Sequence, residues 1–316
     1  MAESTGARPT VVYIGGSGRS GSTLLECMLA ELPDVVVLGE VAHLWERGLL
    51  GNELCACSQP FHSCPFWQEI GGVAFGGWHN VDGHRMLALQ DAVDRQRRLV
   101  STMRHTPPRH IRDELAEYNS HYARVYSAAR EITGAQVVVD STKESPTVMA
   151  LSHCRDIDLR VIHLVRDSRG VAFSWQKSVE RPEKSGEQMP QLSPAVSTEG
   201  WLVQNGGMAG LRRHGVPVAR IRYEDLVTEP ASVVGQAWNE LSLPGECALP
   251  IDDSNVIDLC GTHSVAGNPM RFRTGPTALR PDIAWIDGLS RRDRAVVTML
   301  SWPLLKAYGY PLRAAA

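Results

Sequence analysis

Short apolar runs alternate with segments of helical periodicity along most of this chain. Five of the runs are continuous and rich in β-branched residues, which is typical of strands buried on both faces; they lie at residues 11–14, 35–38, 137–139, 161–165 and 218–221. The helical segments lie at residues 23–32, 84–104, 109–133, 146–153, 168–178 and 195–214. Strands that alternate with helices indicate an α/β fold, in which a parallel sheet carries helices on both faces.

Two regions break this alternation. Residues 46–133 begin with an irregular stretch rich in Cys, Gly, Trp and Phe and continue as a long helical stretch that a Pro-Pro pair interrupts. This insertion is predicted to form a Cys-rich and helical cap. Residues 252–287 have little periodicity and several Gly and Pro residues, which predicts a lid or a binding loop. We interpret residues 1–316 as one domain.

Polar residues follow several of the predicted strands directly. Ligands of parallel sheets bind at the carboxyl ends of the strands. The side chains found there should therefore converge on one rim of the sheet, and they are Arg19, Glu40, Ser141, Arg166 and Tyr223.

Composition narrows the class of protein. The chain has 316 residues, of which 43% are hydrophobic, and a net charge of −3. Such a near-neutral balance argues against general nucleic-acid binding, which needs a strongly basic surface. The polar residues 1–10 lack the apolar core of a secretory signal, and no apolar stretch approaches the ~20 residues of a membrane helix. We therefore predict a cytoplasmic protein without a membrane span.

A glycine-rich loop, GSGRSGST at residues 16–23, lies between the first strand and the first helix. In this geometry, backbone N–H groups and the helix N-terminus point at a bound anion. The spacing fits the nucleotide-binding P-loop, except that Ser22 stands where the loop lysine should be. The backbone amides, with the hydroxyls of Ser20, Ser22 and Thr23, can still hold one phosphate. The alternative interpretation is an ordinary glycine turn with an exposed Arg19.

A second motif begins where the strand at residues 161–165 ends. Arg166 and Ser174 are eight residues apart, which is about two turns if the residues between them are helical. Both can contact a second phosphate if this helix packs beside the glycine-rich loop. Alone, the motif also fits a surface patch of ion pairs.

With both motifs, the chain resembles the sulfotransferases that use 3′-phosphoadenosine-5′-phosphosulfate (PAPS). Their 5′-phosphosulfate loop is similar to RSGSTL at residues 19–24, and their 3′-phosphate motif is similar to residues 166–174, although Ser168 replaces the usual proline. Residues 223–226 and 263–272 resemble segments of the bacterial sulfotransferases. The matches extend from residue 11 to about residue 288.

The resemblance implies roles for these residues. PAPS would be the sulfuryl donor and 3′-phosphoadenosine-5′-phosphate (PAP) the product, with no metal required. Arg19 would supply the cation that stabilises the charge developing on the bridging oxygen. The residues implied to bind the donor are Gly18, Arg19, Ser20, Gly21, Ser22, Thr23, Arg166, Ser174 and Tyr223. A late loop would close over the nucleotide and contact its 3′-phosphate through Gly267, Asn268 and Arg271.

Glu40, at the end of the second predicted strand, is the candidate general base. Its position resembles the tyrosylprotein sulfotransferase branch and several bacterial relatives, in which a glutamate is the base. Other sulfotransferases use histidine, so His43 is the alternative, and a simple helix cap is another interpretation of Glu40. By resemblance Lys143 would be a second catalytic cation, although it can also be a solvated lysine after a helix cap formed by Ser141 or Thr142.

The predicted function is transfer of a sulfuryl group from PAPS to a hydroxyl or phenol of a small-molecule or peptide acceptor. The alternative is a P-loop small-molecule kinase or NTPase. Asp140 favours that alternative because it imitates a Walker B strand, whereas Ser22 opposes it. A third hypothesis for the function is a nucleotide-binding module that has lost catalysis. The acceptor and the oligomeric state do not follow from the sequence.

Seven cysteines, mostly scattered, predict reduced thiols. Cys55, Cys57 and Cys64 resemble a metal cluster, but structural zinc usually needs four ligands and no fourth is obvious nearby. The sequence prediction is therefore no metal.

The tryptophans divide into two predicted groups. Trp175, Trp201 and Trp238 lie in helical stretches and are predicted core residues. Trp45 and Trp78 are predicted to line the acceptor pocket, together with the insertion helices.

Overall fold

The computed structural model describes residues 8–183 and 187–312. Its main sheet has five parallel strands in the order β2-β3-β1-β4-β5. The strands are β1 (Thr10–Gly16), β2 (Val35–Val37), β3 (Val137–Lys143), β4 (Asp158–Val165) and β5 (Val218–Arg222). All five strands predicted from the apolar runs are present, so the α/β fold class is confirmed.

Alternate residues of the central strand β1 enter different cores. Val11 and Tyr13 pack in a cluster on one face of the sheet, and Val12 and Ile14 pack in a cluster on the other face. All four side chains are fully buried. Helices therefore cover both faces, which explains why the strand sequences are continuously apolar.

The helices fill the connections between the strands. The α-helices are α1 (Ser22–Leu29), α2 (Pro65–Phe75), α3 (Gly83–Val93), α4 (Leu99–Thr102), α5 (Arg109–Thr133), α6 (Ser145–Leu151), α7 (Ser168–Gln176), α8 (Pro194–Met208), α9 (Tyr223–Thr228), α10 (Pro230–Glu240), α11 (Trp285–Gly288) and α12 (Arg291–Ala307). A π-helix covers Leu44–Leu50, and short 3₁₀ turns cover Val41–His43, Phe61–Ser63, Trp78–Asn80, Gln96–Arg98, Leu211–His214 and Pro269–Phe272. No helix in residues 8–183 and 187–312 is long and apolar enough to cross a membrane.

The order of the strands creates a crevice at one edge of the sheet. From β1 the chain moves outward to β2, returns to β3 beside β1, and then crosses to β4 on the other side of β1. Ligands of open α/β sheets bind at such a switch point, outside the carboxyl ends of the strands. The residues that follow β1, β3 and β4 surround this position.

The insertion at residues 46–133 packs on one face of the sheet. Its helices α2 and α3 both contact α5, and α5 also contacts β2 and β3. Trp45 is fully buried and Trp78 nearly so, both in this core. The prediction that these two tryptophans line the acceptor pocket is therefore wrong, because they hold the insertion to the sheet.

Residues 252–287 are more regular than the sequence indicated. They contain a two-stranded antiparallel sheet of β6 (Val256–Leu259) and β7 (Gly275–Ala278). Beyond β6, the segment runs alongside the end of β2, where Val265 N–H donates to Leu38 O (3.0 Å) and Glu40 N–H donates to Ala266 O (3.3 Å). Part of the segment that was expected to form a lid is thus hydrogen-bonded to the residues that follow β2.

Candidate active site

A cavity of about 600 Å³ opens at the carboxyl ends of β1, β3 and β4. It brings together most of the residues that the sequence analysis singled out. Those that line it are Gly18, Arg19, Gly21, Ser22, Thr23, Glu40, His43, Lys143, Arg166, Ser174, Tyr223 and Asn268. No residue between 46 and 133 lines this cavity, so the insertion is not the cap over it that the sequence predicted.

Two glycines let the loop after β1 turn tightly. Gly16 has a φ of 145°, and a Cβ there would lie 2.3 Å from the carbonyl oxygen of Leu164. Gly21 has a φ of 96°, and a Cβ there would lie 2.6 Å from the ring of Tyr223. The loop therefore needs glycine at both positions to reach the start of α1.

Hydrogen-bond donors in this loop are left over for a ligand. Helix α1 has no side-chain cap, and Leu25 N–H bonds within the helix to Gly21 O at 3.0 Å. Ser20 Oγ and Arg19 Nε are buried without a partner among the described residues. Buried polar groups are normally satisfied. The loop therefore fits an anionic group such as a phosphate, and the interpretation as a simple turn with an exposed arginine is wrong.

Arg19 is held across the cavity by two side chains that the sequence did not indicate. Its guanidinium lies 5.0 Å from the ring centroid of Trp175, and its Nη2 lies 3.4 Å from Met189 Sδ. Burial lowers the pKa of Arg19, and the nearby charge of Glu40 opposes that shift. Trp175 was predicted to be a core residue, but it lines the cavity. Its ring makes a cation–π contact with the partly buried guanidinium of Arg19.

Arg166 follows β4 and is only 6% exposed. Its Nη1 donates to Arg19 O at 3.0 Å, and its guanidinium lies 4.6 Å from the ring centroid of Tyr223. Its Nη2 donates to Asp282 Oδ2 at 2.9 Å. Ser174, on α7, lines the same cavity. The two predicted phosphate motifs are therefore directly bonded, and Asp282 is a partner that no sequence signal revealed.

Glu40 lies between two basic side chains. Lys143 Nζ donates to Glu40 Oε1, and His43 Nε2 lies 3.5 Å from Glu40 Oε2. Burial alone would raise the pKa of Glu40, but the charges of Lys143 and His43 outweigh it, so the pKa lies below its usual range. Glu40 is thus ionised at neutral pH, and its side chain makes no helix-capping bond.

Asp140 holds the backbone next to Glu40 from behind. Its carboxylate is fully buried and accepts bonds from Tyr126 Oη (2.6 Å) and Val41 N–H (3.4 Å). Thr142, which also bonds Asp140, accepts from Ala42 N–H at 3.0 Å. Asp140 does not line the cavity, so it is not placed to serve as a Walker B carboxylate. The arrangement does not favour the kinase alternative.

Lys143 ends β3 in a left-handed conformation, with a φ of 75°. Its side chain is 15% exposed and pairs with Glu40. The alternative of a solvated lysine beyond a helix cap is wrong, because Ser141 Oγ donates instead to Glu26 and Thr142 bonds Asp140.

The late loop contributes differently at each of its predicted residues. Asn268 lines the cavity, and a Cβ on Gly267 would lie 3.5 Å from Glu40 Oε1. Arg271 is only 2% exposed and does not line the cavity. Its Nη1 donates to Gly267 O and its Nη2 to Leu54 O, both at 3.0 Å. This corrects the expected nucleotide contact of Arg271, whose guanidinium instead ties the loop to the insertion.

One wall of the cavity was missed by the sequence analysis. It consists of residues on α8 and on the segment that precedes this helix: Met189, Leu192, Val196, Ser197, Gly200 and Gln204. The spacing of the four α8 residues is that of one helix face. These residues form no recognisable sequence motif. Their spacing on one helix face was therefore the only feature of the sequence that could have indicated this wall.

The site and fold define an α/β protein with a glycine-rich loop at the switch point of a parallel sheet. No protein-family model and no curated protein matches the sequence. Among solved structures, the chain is similar to the sulfotransferase domain of the Synechococcus PCC 7002 olefin synthase, with a TM-score of 0.51 and 20% identity over 98% of this chain and 99% of that one. The chain therefore has the sulfotransferase fold.

Two further structures are more distant. The sulfotransferase domain from the curacin biosynthetic pathway has a TM-score of 0.47 and 18% identity, over 96% of this chain and all of that one (100%). A sulfotransferase from Mycobacterium avium has a TM-score of 0.46 and 12% identity, over 98% of this chain and 78% of that one. None of these three is a tyrosylprotein sulfotransferase, so the resemblance to that branch stays a prediction.

Proposed function

We propose that this protein transfers a sulfuryl group from PAPS to an acceptor hydroxyl. The observation that carries the proposal is the pairing of Glu40 with Lys143 on the same cavity as a phosphate loop without its lysine. A base, two cations and the anion site thus share one space. The comparisons support the proposal through the fold.

The donor would be held at two anion sites. In the loop at residues 16–23, the backbone amides and the side chains of Ser22 and Thr23, which line the cavity, suit the 5′-phosphate. Arg166 and Ser174 face the same cavity and suit the 3′-phosphate, with the adenosine between the two sites. A nucleotide with two separate phosphates matches this arrangement better than a triphosphate does.

The residues around Glu40 suit proton removal and charge stabilisation. The Glu40 carboxylate is ionised and buried, so it can accept the proton of an acceptor hydroxyl. Lys143, which pairs with that carboxylate, and Arg19, which lines the same cavity, would stabilise charge on the transferring group and on the leaving phosphate. When bound, PAPS supplies the sulfuryl group whose bond to the bridging oxygen breaks as the bond to the acceptor oxygen forms.

The acceptor would lie against the wall formed by α8. Met189, Leu192 and Val196 are apolar, whereas Gln204 adds a polar group to the lining of the cavity. Such a wall fits a phenol or another hydroxyl carried on an apolar body. A small molecule of that kind is our proposed acceptor class.

The direct test is turnover of radiolabelled PAPS on a panel of phenols and aliphatic alcohols, with and without added Mg²⁺. We expect transfer that does not depend on Mg²⁺. Glu40→Gln should lower kcat by about 10²–10⁴-fold and Arg19→Ala by about 10²–10³-fold. Glu117→Gln and Arg97→Ala, at exposed positions, are the matched controls and should leave kcat unchanged.

Two results would separate the alternatives. Strict dependence on Mg-ATP would replace the sulfotransferase proposal with the kinase. Tight binding of PAP with no transfer to any acceptor would favour the nucleotide-binding module without catalysis. Full activity in Glu40→Gln would remove Glu40 from the mechanism and direct attention to His43.

A further inference from the structure

Three thiols and one imidazole meet outside the cavity. Cys55, Cys57, Cys64 and His263 each offer one ligand atom, and these four atoms all lie within 4.8 Å of one another. The sulfur of Cys64 lies 3.7 Å from that of Cys55 and 3.6 Å from that of Cys57. His263 Nδ1 lies 3.3 Å from Cys64 Sγ and 3.8 Å from Cys55 Sγ. His263 is the fourth ligand that the sequence analysis did not find.

Local structure brings each of the four groups to this point. Cys55 and Cys57 lie in a tight turn, in which Cys55 N–H donates to Gln59 O at 2.9 Å. Cys64 immediately precedes helix α2, so the N-terminus of that helix favours a thiolate there. His263 comes from the late segment, 199 residues further along the chain.

Aromatic residues of α2 hold the imidazole of His263 in place. Trp67 Nε1 donates to His263 O at 2.8 Å. The ring of Phe66 stacks on the imidazole, with 4.7 Å between the ring centroids and 12° between the planes. The orientation of this ligand is therefore fixed by packing as well as by the chain.

The distances agree with a tetrahedral metal site. Zinc binds sulfur at about 2.3 Å and nitrogen at about 2.0–2.1 Å, so tetrahedral ligands lie about 3.8 Å apart for two sulfurs and about 3.6 Å apart for sulfur and nitrogen. The four measured separations scatter around these two values. A disulfide would bring two sulfurs to about 2.05 Å, and all three cysteines are free.

Backbone donors surround this partly buried cluster. Cys55 and Cys64 are fully buried. Backbone N–H groups face the three sulfurs: that of Cys57 faces Cys55, that of Gln59 faces Cys57, and that of Trp67 faces Cys64. N–H groups in this arrangement orient and stabilise metal-bound thiolates. Soft sulfur ligands in tetrahedral geometry select zinc among the common divalent ions.

We propose that Cys55, Cys57, Cys64 and His263 bind one Zn²⁺ ion in a closed structural site. Four protein ligands leave no open position, so this ion has no part in the transfer chemistry. It joins the start of the insertion to the late segment, two parts of the chain that are far apart in sequence.

The zinc site would also support the backbone behind Glu40. Ala56 N–H donates to Ser264 O at 3.1 Å, directly beside His263. Two residues further on, Ala266 O accepts the bond from Glu40 N–H. Removal of the ion is therefore expected to loosen the wall that holds Glu40, in addition to the insertion.

Metal content is the first test, and it does not depend on the proposed reaction. The full chain, purified without a histidine tag and under reducing conditions, should contain about one zinc per molecule by mass spectrometry of the elements. The zinc content of Cys64→Ser should be lower than that of the wild type by a factor of at least about 10. Cys154→Ser and Cys247→Ser, which change cysteines outside the cluster, should keep it.

Two further measurements cover variants that fail to fold. Replacement of zinc by Co²⁺ in the wild-type chain should give the visible bands of tetrahedral cobalt and a thiolate charge-transfer band. His263→Ala should abolish these bands, whereas His263→Cys should restore metal binding through a four-thiolate set. Site-resolved alkylation should find Cys57, the partly exposed thiol of the cluster, protected until the metal is removed.

A folded wild-type chain without bound zinc, and without a tetrahedral cobalt spectrum, would overturn the proposal. A disulfide between any two of these cysteines in the reduced preparation would overturn it as well. A folded chain that is purified without zinc and still transfers sulfuryl groups would refute the zinc site and leave the proposed function intact.

Discussion

The ammonium group that is missing from the phosphate loop is supplied by a different strand. Ser22 occupies the position of the P-loop lysine, and Lys143, at the end of β3 and in register with Gly15 of β1, reaches Glu40. The cation is therefore paired with the proposed base. This position suits transfer to a hydroxyl, because one group can lower the pKa of the carboxyl and stabilise the transferring group.

Removal of Lys143 should move the pH dependence of the reaction. Burial raises the pKa of Glu40, and Lys143 is the first of the charges that overcome this effect. In Lys143→Ala the pKa of Glu40 should rise, so the acid limb of the kcat/KM profile should move to higher pH as well as lose amplitude. Lys306→Ala, on α12, is the control. An unshifted limb in Lys143→Ala would mean that Glu40 is not the group that titrates.

Asp282 should weaken donor binding. Its carboxylate lies 2.9 Å from Arg166 Nη2 and 3.5 Å from Lys177 Nζ. It therefore neutralises positive charge at the proposed 3′-phosphate site. Burial would raise the pKa of Asp282, but Arg166 and Lys177 together lower it, so it is ionised at neutral pH. Asp282→Asn should therefore tighten the binding of PAP, by roughly 10-fold at low salt and less at high salt.

Isothermal titration calorimetry with PAP at two salt concentrations measures this effect. Asp287→Asn, at an exposed position on the neighbouring helix α11, is the matched control. Weaker binding in Asp282→Asn would show instead that the Asp282 carboxylate orients Arg166 for the ligand.

Among the secondary-structure elements, the sheet was the part most predictable from sequence. The three central strands β1, β3 and β4 are largely buried on both faces, and such burial requires the continuous apolar runs that mark them. The helices α2 and α12 were missed for local reasons. Helix α2 has two consecutive glycines, Gly71 and Gly72, and α12 contains Pro303. Their stability comes from tertiary packing, which propensity does not report.

The candidate site was predictable to the extent that it follows from strand ends. Arg19, Glu40 and Arg166 were predicted to share a rim, and all three line the cavity. Contacts between segments far apart in sequence left no such signal. The pairing of Arg166 with Asp282 joins residues 116 apart, and the approach of His263 to Cys64 joins residues 199 apart.

Helix α8 should decide how large an acceptor the cavity admits. Gly200 lines the cavity, and a Cβ there would meet no atom within 4 Å, so the helix can take a side chain at this position. Gly200→Leu should therefore keep the fold and raise the KM of bulky phenols, with PAP binding unchanged. Gly206 lies on the same helix with equal space but outside the cavity, which makes Gly206→Leu the matched control. An equal change in KM in both variants would remove α8 from the acceptor wall.

For the molecule as a whole, the site is an assembly of segments joined behind the cavity. Glu26 lies at this junction: it is only 1% exposed, on α1, and accepts bonds from Ser141 Oγ on β3 and from Ser264 Oγ on the late segment. One carboxyl group therefore connects the phosphate loop helix, the strand that carries Lys143 and the segment that supports Glu40. Its protonation should be linked to the stability of the entire fold.

The free energy of unfolding should fall as the pH rises from 4.5 to about 7, because Glu26 is buried. Burial raises the pKa of Glu26 to about 7, and the bonds from Ser141 and Ser264 oppose that shift. Between its usual value of 4.5 and about 7, the folded chain holds a proton that the unfolded chain has lost, so the free energy of unfolding decreases as pH rises through this window. The total loss is about 3 kcal/mol. Glu26→Gln cannot ionise, so its stability relative to the wild type should increase by about that amount between about pH 5 and pH 8, measured by denaturant unfolding. Glu246→Gln, at an exposed position, should show no such trend, and a constant difference for Glu26→Gln would mean that the pKa of this carboxyl is the same in the folded and the unfolded chain.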